Sequence, residues 1–182
     1  MDLLWISFLN SDLHDWRGSG RSEDRLDKPG WVAEFLAEWH LPVTNQPDAA
    51  AIAALKDLRS LLQRIARSLA DGAAVAAGDL GALNAALGGG AVLRQVDGAH
   101  GAYELKYVPA GTGWAQVHAE IAASLARSLA EGAAERIRFC DNPDCRWVFL
   151  DDTRNRNKRF CDDKACGNLM KVRRFRARKK ST

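Results

Sequence analysis

No cysteine occurs in the first 139 of 182 residues, and no acidic residue follows Asp163. The first gap means that three quarters of the chain cannot be a disulfide scaffold. A chain that is 47% hydrophobic has apolar side chains enough for an ordinary core. No apolar stretch is long enough to cross a bilayer, so no membrane partner is expected. Met1-Asp2-Leu3-Leu4-Trp5 lacks a signal peptide's order of positive charge, long apolar run and small-residue cleavage site, which points to the cytoplasm. Histidine is scarce: His14, His40, His100 and His118 are scattered, and none forms the i, i+4 pair of a helical metal site. Gly88-Gly89-Gly90 lacks the Lys-Ser or Lys-Thr that completes a phosphate-binding loop. Ser11 with His14 lacks the strained elbow and oxyanion donor that hydrolysis needs. Enzymatic activity is therefore not expected.

The cysteines that do occur are Cys140-x4-Cys145-x15-Cys161-x4-Cys166. Two close pairs separated by a loop can give one tetrahedral ion four thiolates, and Zn2+ suits an all-sulfur structural site. Two disulfides are the rival reading, and a reducing compartment disfavours them. The spacing predicts one structural zinc held by Cys140, Cys145, Cys161 and Cys166. Asn142 and Pro143 turn the chain within the first pair. Arg146–Leu150 has strand character, and Lys158–Phe160 returns the chain toward the metal. Asp162 and Asp163 are caps for a helix that carries Cys166 in its first turn and runs to about Lys179.

The second gap concerns charge. Residues 136–182 hold 15 Lys and Arg against 6 Asp, a net of +9, while residues 1–135 hold 11 against 17 Asp and Glu, a net of −6. An acidic body with a basic tail suggests an anionic partner for the tail. On the terminal helix Ala165, Leu169, Val172 and Phe175 make an apolar stripe expected to pack on the finger's hairpin. Lys171, Arg173, Arg174, Arg176, Arg178 and Lys179 then form a basic surface suited to duplex DNA. RNA is less favoured, because Trp147, Phe149 and Phe160 read as finger core and leave no base-stacking platform. The alternative is a protein-interaction adaptor, or a self-associating module, in which the finger is a rigid clip and the basic helix meets an acidic surface.

The body reads as α-rich. Leu3–Leu9 is a buried helix start or a short strand, and 11–30 an irregular polar loop. Residues 30–40 form a helix ended by Leu41-Pro42. Pro47–Ala70 is the longest helix, capped by Thr44 or Asn45 and stopped by Asp71-Gly72. A short helix at 79–87 closes on three glycines, 91–96 and 102–108 pair as a β-hairpin, and 113–134 is helical again. Such a body could sense a small-molecule effector; Asn10, His14 and Arg25 in the polar loop are the candidate contacts. The last helix could also pack across a two-fold axis of a homodimer.

The fold class is thus α+β, mostly α: a helical N-terminal domain (1–135) with one β-hairpin, then a small treble-clef-like zinc finger with a basic C-terminal helix (136–182). Phe160-Cys-Asp-Asp-Lys-Ala-Cys-Gly-Asn-Leu-Met-Lys-Val-Arg-Arg, with Cys140-x4-Cys145, Phe149-Leu150-Asp151 and Arg154-Asn155 upstream, resembles the CGNR zinc-finger family. Phe8-Leu9-Asn10-Ser11 before a helical body is similar to its usual partner, the ABATE-type stress-induced transcription regulator domain. The resemblance implies four cysteines on one zinc and a bacterial regulator that binds DNA. Leu169 stands where that family has arginine, which removes one candidate contact and shifts the burden to Lys171, Arg173 and Arg174.

Overall fold

A computed structural model describes residues 3–41, 43 and 45–180. Pro42 and Thr44, expected to end one helix and cap the next, lie outside the described residues. The body centres on α3 (Ala49–Ala70) and α5 (Trp114–Ala130), with α1 (Leu4–Leu9), α2 (Trp31–Glu38) and α4 (Ala77–Gly88) packed around them. On α3 the buried Leu55, Leu58, Leu62 and Ile65 recur at the helical period, and Val117, Ile121 and Leu125 do the same on α5. Leu62, Ile65, Ile121 and Leu125 are wholly shielded from water.

Local chemistry sets the helix ends. Asp48 caps α3 by accepting the amide of Ala51 at 2.7 Å, so the cap is Asp48 and not Asn45. At its far end Gly72 turns left-handed, and the Ala73 amide reaches back to the carbonyl of Ser68. His40 does the same work after α2, an uncommon left-handed role for a side-chain-bearing residue. α1 is a helix and not a strand; the Trp5 amide and indole donate to the hydroxyls of Ser124 and Ser128 on α5. These serines face the core because they receive buried donors.

The polar segment after Asn10 departs from expectation. It is not irregular: β1 (Asp12–His14) and β2 (Ser22–Asp24) pair antiparallel and lead into a 3-10 turn at Arg25–Asp27. No alternation marks these strands. Arg59 of α3 holds them, donating to both carboxylate oxygens of Asp24 at 2.8 and 2.6 Å and to Ser11 Oγ at 2.8 Å. The guanidinium beside Asp24 holds its carboxyl down at about 2.

β3 (Val92–Ala99) and β4 (Ala102–Pro109) form the expected hairpin, turned at His100-Gly101. It stands away from the core, and every residue of β3 is exposed. In the finger, β5 (Ile137–Phe139) pairs with β6 (Val148–Leu150) across the first cysteine turn. The hairpin partner of β6 therefore precedes Cys140, and 158–160 contribute no strand. The last helix, α6 (Asn168–Lys180), follows a wide helical turn at Asp163–Gly167. None of its residues is buried. Val172 and Phe175 are exposed, so the expected stripe does not pack on the hairpin.

Candidate metal centre

The first cysteine turn is built by Asn142. Its side-chain oxygen accepts from the Asp144 amide at 3.3 Å, and its carbonyl accepts from the Cys145 amide at 3.0 Å. Its carboxamide nitrogen, fully buried, donates to Cys166 Sγ at 3.4 Å and to the carbonyl of Trp16 at 2.8 Å. One side chain thereby ties the cysteine turn, a sulfur from the second pair and a loop of the body. At the second pair Asp162 caps the turn that carries Cys166, accepting from the Ala165 amide at 2.7 Å. Asp151 shapes the intervening loop, taking hydrogen bonds from Thr153 and from the Lys158 amide. Burial pushes the Asp151 carboxyl up, and these donors more than offset it.

The four sulfurs lie within 4.8 Å of one another. Cys145 to Cys161 is 3.6 Å and Cys161 to Cys166 is 3.9 Å. Four thiolates at a Zn–S distance of about 2.3 Å sit about 3.8 Å apart in a tetrahedron. All four are unpaired to any disulfide, and three are buried. Hydrogen bonds from Cys145 and Cys161 draw the Cys140 thiol down to about 2. Hydrogen bonding with Cys140, together with burial, pushes Cys145 up to about 12, and Cys161 is raised as well. Crowded thiolates repel, and a divalent cation removes that repulsion. This is a closed four-sulfur site for one structural zinc, with Asn142 in contact with its sulfurs.

Compared with family models, residues 136–179 match the CGNR zinc finger, and residues 2–135 match ABATE, "Putative stress-induced transcription regulator". The chain belongs to the ABATE family and carries a CGNR finger. No curated protein matches it.

The ABATE body and the CGNR finger share a seam. Asn10 clips β6, donating to the Val148 carbonyl and accepting from the Val148 amide, both at 3.0 Å. Ile137 and Val148 are buried in the body's own core. Arg67 of α3 lies over the Phe139 ring at 3.5 Å. Trp16 packs against the finger's cluster. Arg173 reaches back from α6 to Asp144 at 2.6 Å and to the carbonyl of Arg17 at 2.9 Å. Gly18 sits against this pair: a Cβ there would lie 2.5 Å from the Arg173 guanidinium, and its φ of +88° suits glycine alone.

The basic candidates thus divide. Arg173 is half-buried and committed to the seam, and Arg174 Nε touches the Met170 carbonyl at 3.3 Å. Lys171, Arg174, Arg176, Arg178 and Lys179 are exposed along α6. Leu169, in the family's arginine position, is partly covered at the start of α6. The three effector candidates do not converge. Both ends of the Asn10 carboxamide are used in the seam. His14, paired with Asp12 at 3.1 Å, lines a cleft of about 110 Å³ with Arg21, Asp144 and Arg146. Neither Asn10 nor Arg25 lines that cleft. A larger cleft of about 400 Å³ beside α2 is lined by Leu36, His40, Val43 and Pro47, and none of the three candidates lines it. Sequence reasoning missed Asn142 and Asp144 as site residues; an Asn-Pro turn between paired cysteines is the signal that points to the first.

Proposed function

We propose that this chain is a cytoplasmic transcription regulator that contacts duplex DNA through α6. Residues 136–182 are its DNA-contacting part and residues 1–135 its regulatory part. The observation that carries the reading is the helix itself: α6 buries no side chain and displays basic residues of a single sign, while zinc and Arg173 fix its root. A helix fixed at one end and cationic along its length can lie against a phosphate backbone without first being ordered. No helix among the described residues is long and apolar enough to cross a membrane. The body's loop at 10–18 grips the finger, so an effector that moves this loop would move the root of α6.

Fluorescence anisotropy of zinc-loaded protein on random duplex DNA, across a salt series, tests the reading. Each phosphate neutralised adds roughly 0.9 to the logarithmic salt slope. Replacing Lys171, Arg174 and Arg176 with Ala is expected to lower the slope by about 2–3 and leave zinc content unchanged. Unaltered binding in the triple variant sinks it. Phe175, 64% exposed among the arginines, favours the adaptor reading as the second choice; absence of DNA binding at low salt would move the assignment there.

A further inference from the structure

A ribbon of two strands has little stability of its own in water unless one face is packed. The β3–β4 arm has such a face, and none of the described residues covers most of it. Cross-strand partners point to the same side, so the register sorts the arm into two surfaces. One carries Gln95, Asp97, Glu104 and Lys106, with an Asp97–Lys106 ion pair at 2.5 Å and the Leu93–Val108 pair at its base. The other carries Val92, Val96, Tyr103, Leu105 and Tyr107, with Arg94 as its one charge. Val96 and Tyr103, toward the tip, are each 71% exposed. Val92, Tyr107 and Leu105, the last directly across from Val96, line a groove of about 730 Å³ with Ala119 and Ala123 of α5, and the charged Glu104, Lys106, Glu120 and Arg127 line it as well.

We infer that a second copy of this chain covers the apolar face. The two arms pack apolar side to apolar side about a two-fold axis, and each tip seats in the groove at the base of the other. Three observations select this occupant. The apolar face carries both the exposed Val96 and Tyr103 and three side chains, Val92, Leu105 and Tyr107, that line the groove, so one surface can supply both halves of an isologous contact. Val92, Val96, Tyr103, Leu105 and Tyr107 are all exposed, a patch on the order of a few hundred Å² per copy, within reach of the roughly 800 Å² per partner of a stable interface. Residues 92–109 hold Arg94 and Lys106 against Asp97 and Glu104, a net charge of zero. The arm as a whole is neutral and its meeting face carries the single charge of Arg94, so a polyanion has little to attract it there. The inference stands whether or not α6 contacts DNA.

Light scattering after size exclusion, on the full zinc-loaded chain at low and high ionic strength, tests it. A dimer that persists at high salt is expected, because apolar burial is not screened. Val96→Glu with Leu105→Glu is expected to weaken it on the order of 100-fold while zinc content and far-UV dichroism stay unchanged. Gln95→Glu, on the opposite face, is expected to leave the dimer intact and controls for added charge. Should the double variant lose helical signal, Tyr103→Ser takes its place with the same expectation of a weakened dimer. A monomer at every concentration, a dimer indifferent to these substitutions, or one that salt dissolves would overturn the inference.

Discussion

In the body, Leu62 and Ile65 of α3 meet Ile121 and Leu125 of α5 inside one apolar cluster drawn from every helix there. In the finger the corresponding cluster is Phe149 and Phe160 packed on Cys140, Cys145 and Cys166. Burying two phenylalanines contributes about 1.5–3 kcal/mol each, too little to order some 45 residues. Zinc on four thiolates contributes on the order of 10–16 kcal/mol in small fingers. The body is thus ordered by exclusion of water and the finger by a metal. A metal-ordered module can leave its terminal helix without a buried residue, as α6 is, because that helix is not needed as core and is free to serve a partner.

The seam blurs this division, and breaking it measures how far the finger leans on the body. Asn10→Ala leaves the Val148 amide and carbonyl in a buried strand without their partner. Each unsatisfied group costs about 1–3 kcal/mol, so a loss of roughly 2–4 kcal/mol is expected in chemical denaturation with zinc stoichiometry unchanged. Zinc lost together with stability would mean that the finger cannot form without the body's clip.

A smaller effect sharpens the body's side. Asp24, about a quarter exposed, is held at about 2 by Arg59 against an ordinary 3.8. Its depressed value stabilises the fold above pH 4, and that contribution disappears as pH falls from about 4 to 2. It amounts to at most about 2 kcal/mol after allowance for solvent screening. The stability gap between the wild type and Asp24→Asn should therefore narrow from pH 5 to pH 3 in urea titrations. A constant gap would show that the hydrogen bonds, and not the charge, hold β2 to α3.

Sequence alone exposes the metal ligands because two close cysteine pairs joined by a loop are the pattern that gives one tetrahedral ion four thiolates. The helices of the body follow from apolar period, since α3 and α5 bury one face each. The β1–β2 hairpin stays hidden for a physical reason: it rests on Arg59, 35 residues beyond Asp24, and leaves no alternation in its own strands. The finger's hairpin is missed for a related reason, as Ile137–Phe139 pairs across the cysteine turn with a segment whose partner looked to lie after it. The stripe of Leu169, Val172 and Phe175 misleads because helical spacing shows which residues share a face, and here only Leu169 is partly covered while Val172 and Phe175 stay in water. Asn10 looked like a ligand contact and is half of a backbone clip; a polar side chain beside aromatics suits both roles.

The most direct test of the metal-ordered finger is amide hydrogen exchange with and without chelation of zinc. Removal of zinc is expected to abolish protection across 137–180 while the amides of α3 between Leu55 and Ala66 keep theirs. A finger that stays protected without metal would contradict it, and so would equal loss of protection in the finger and in α3.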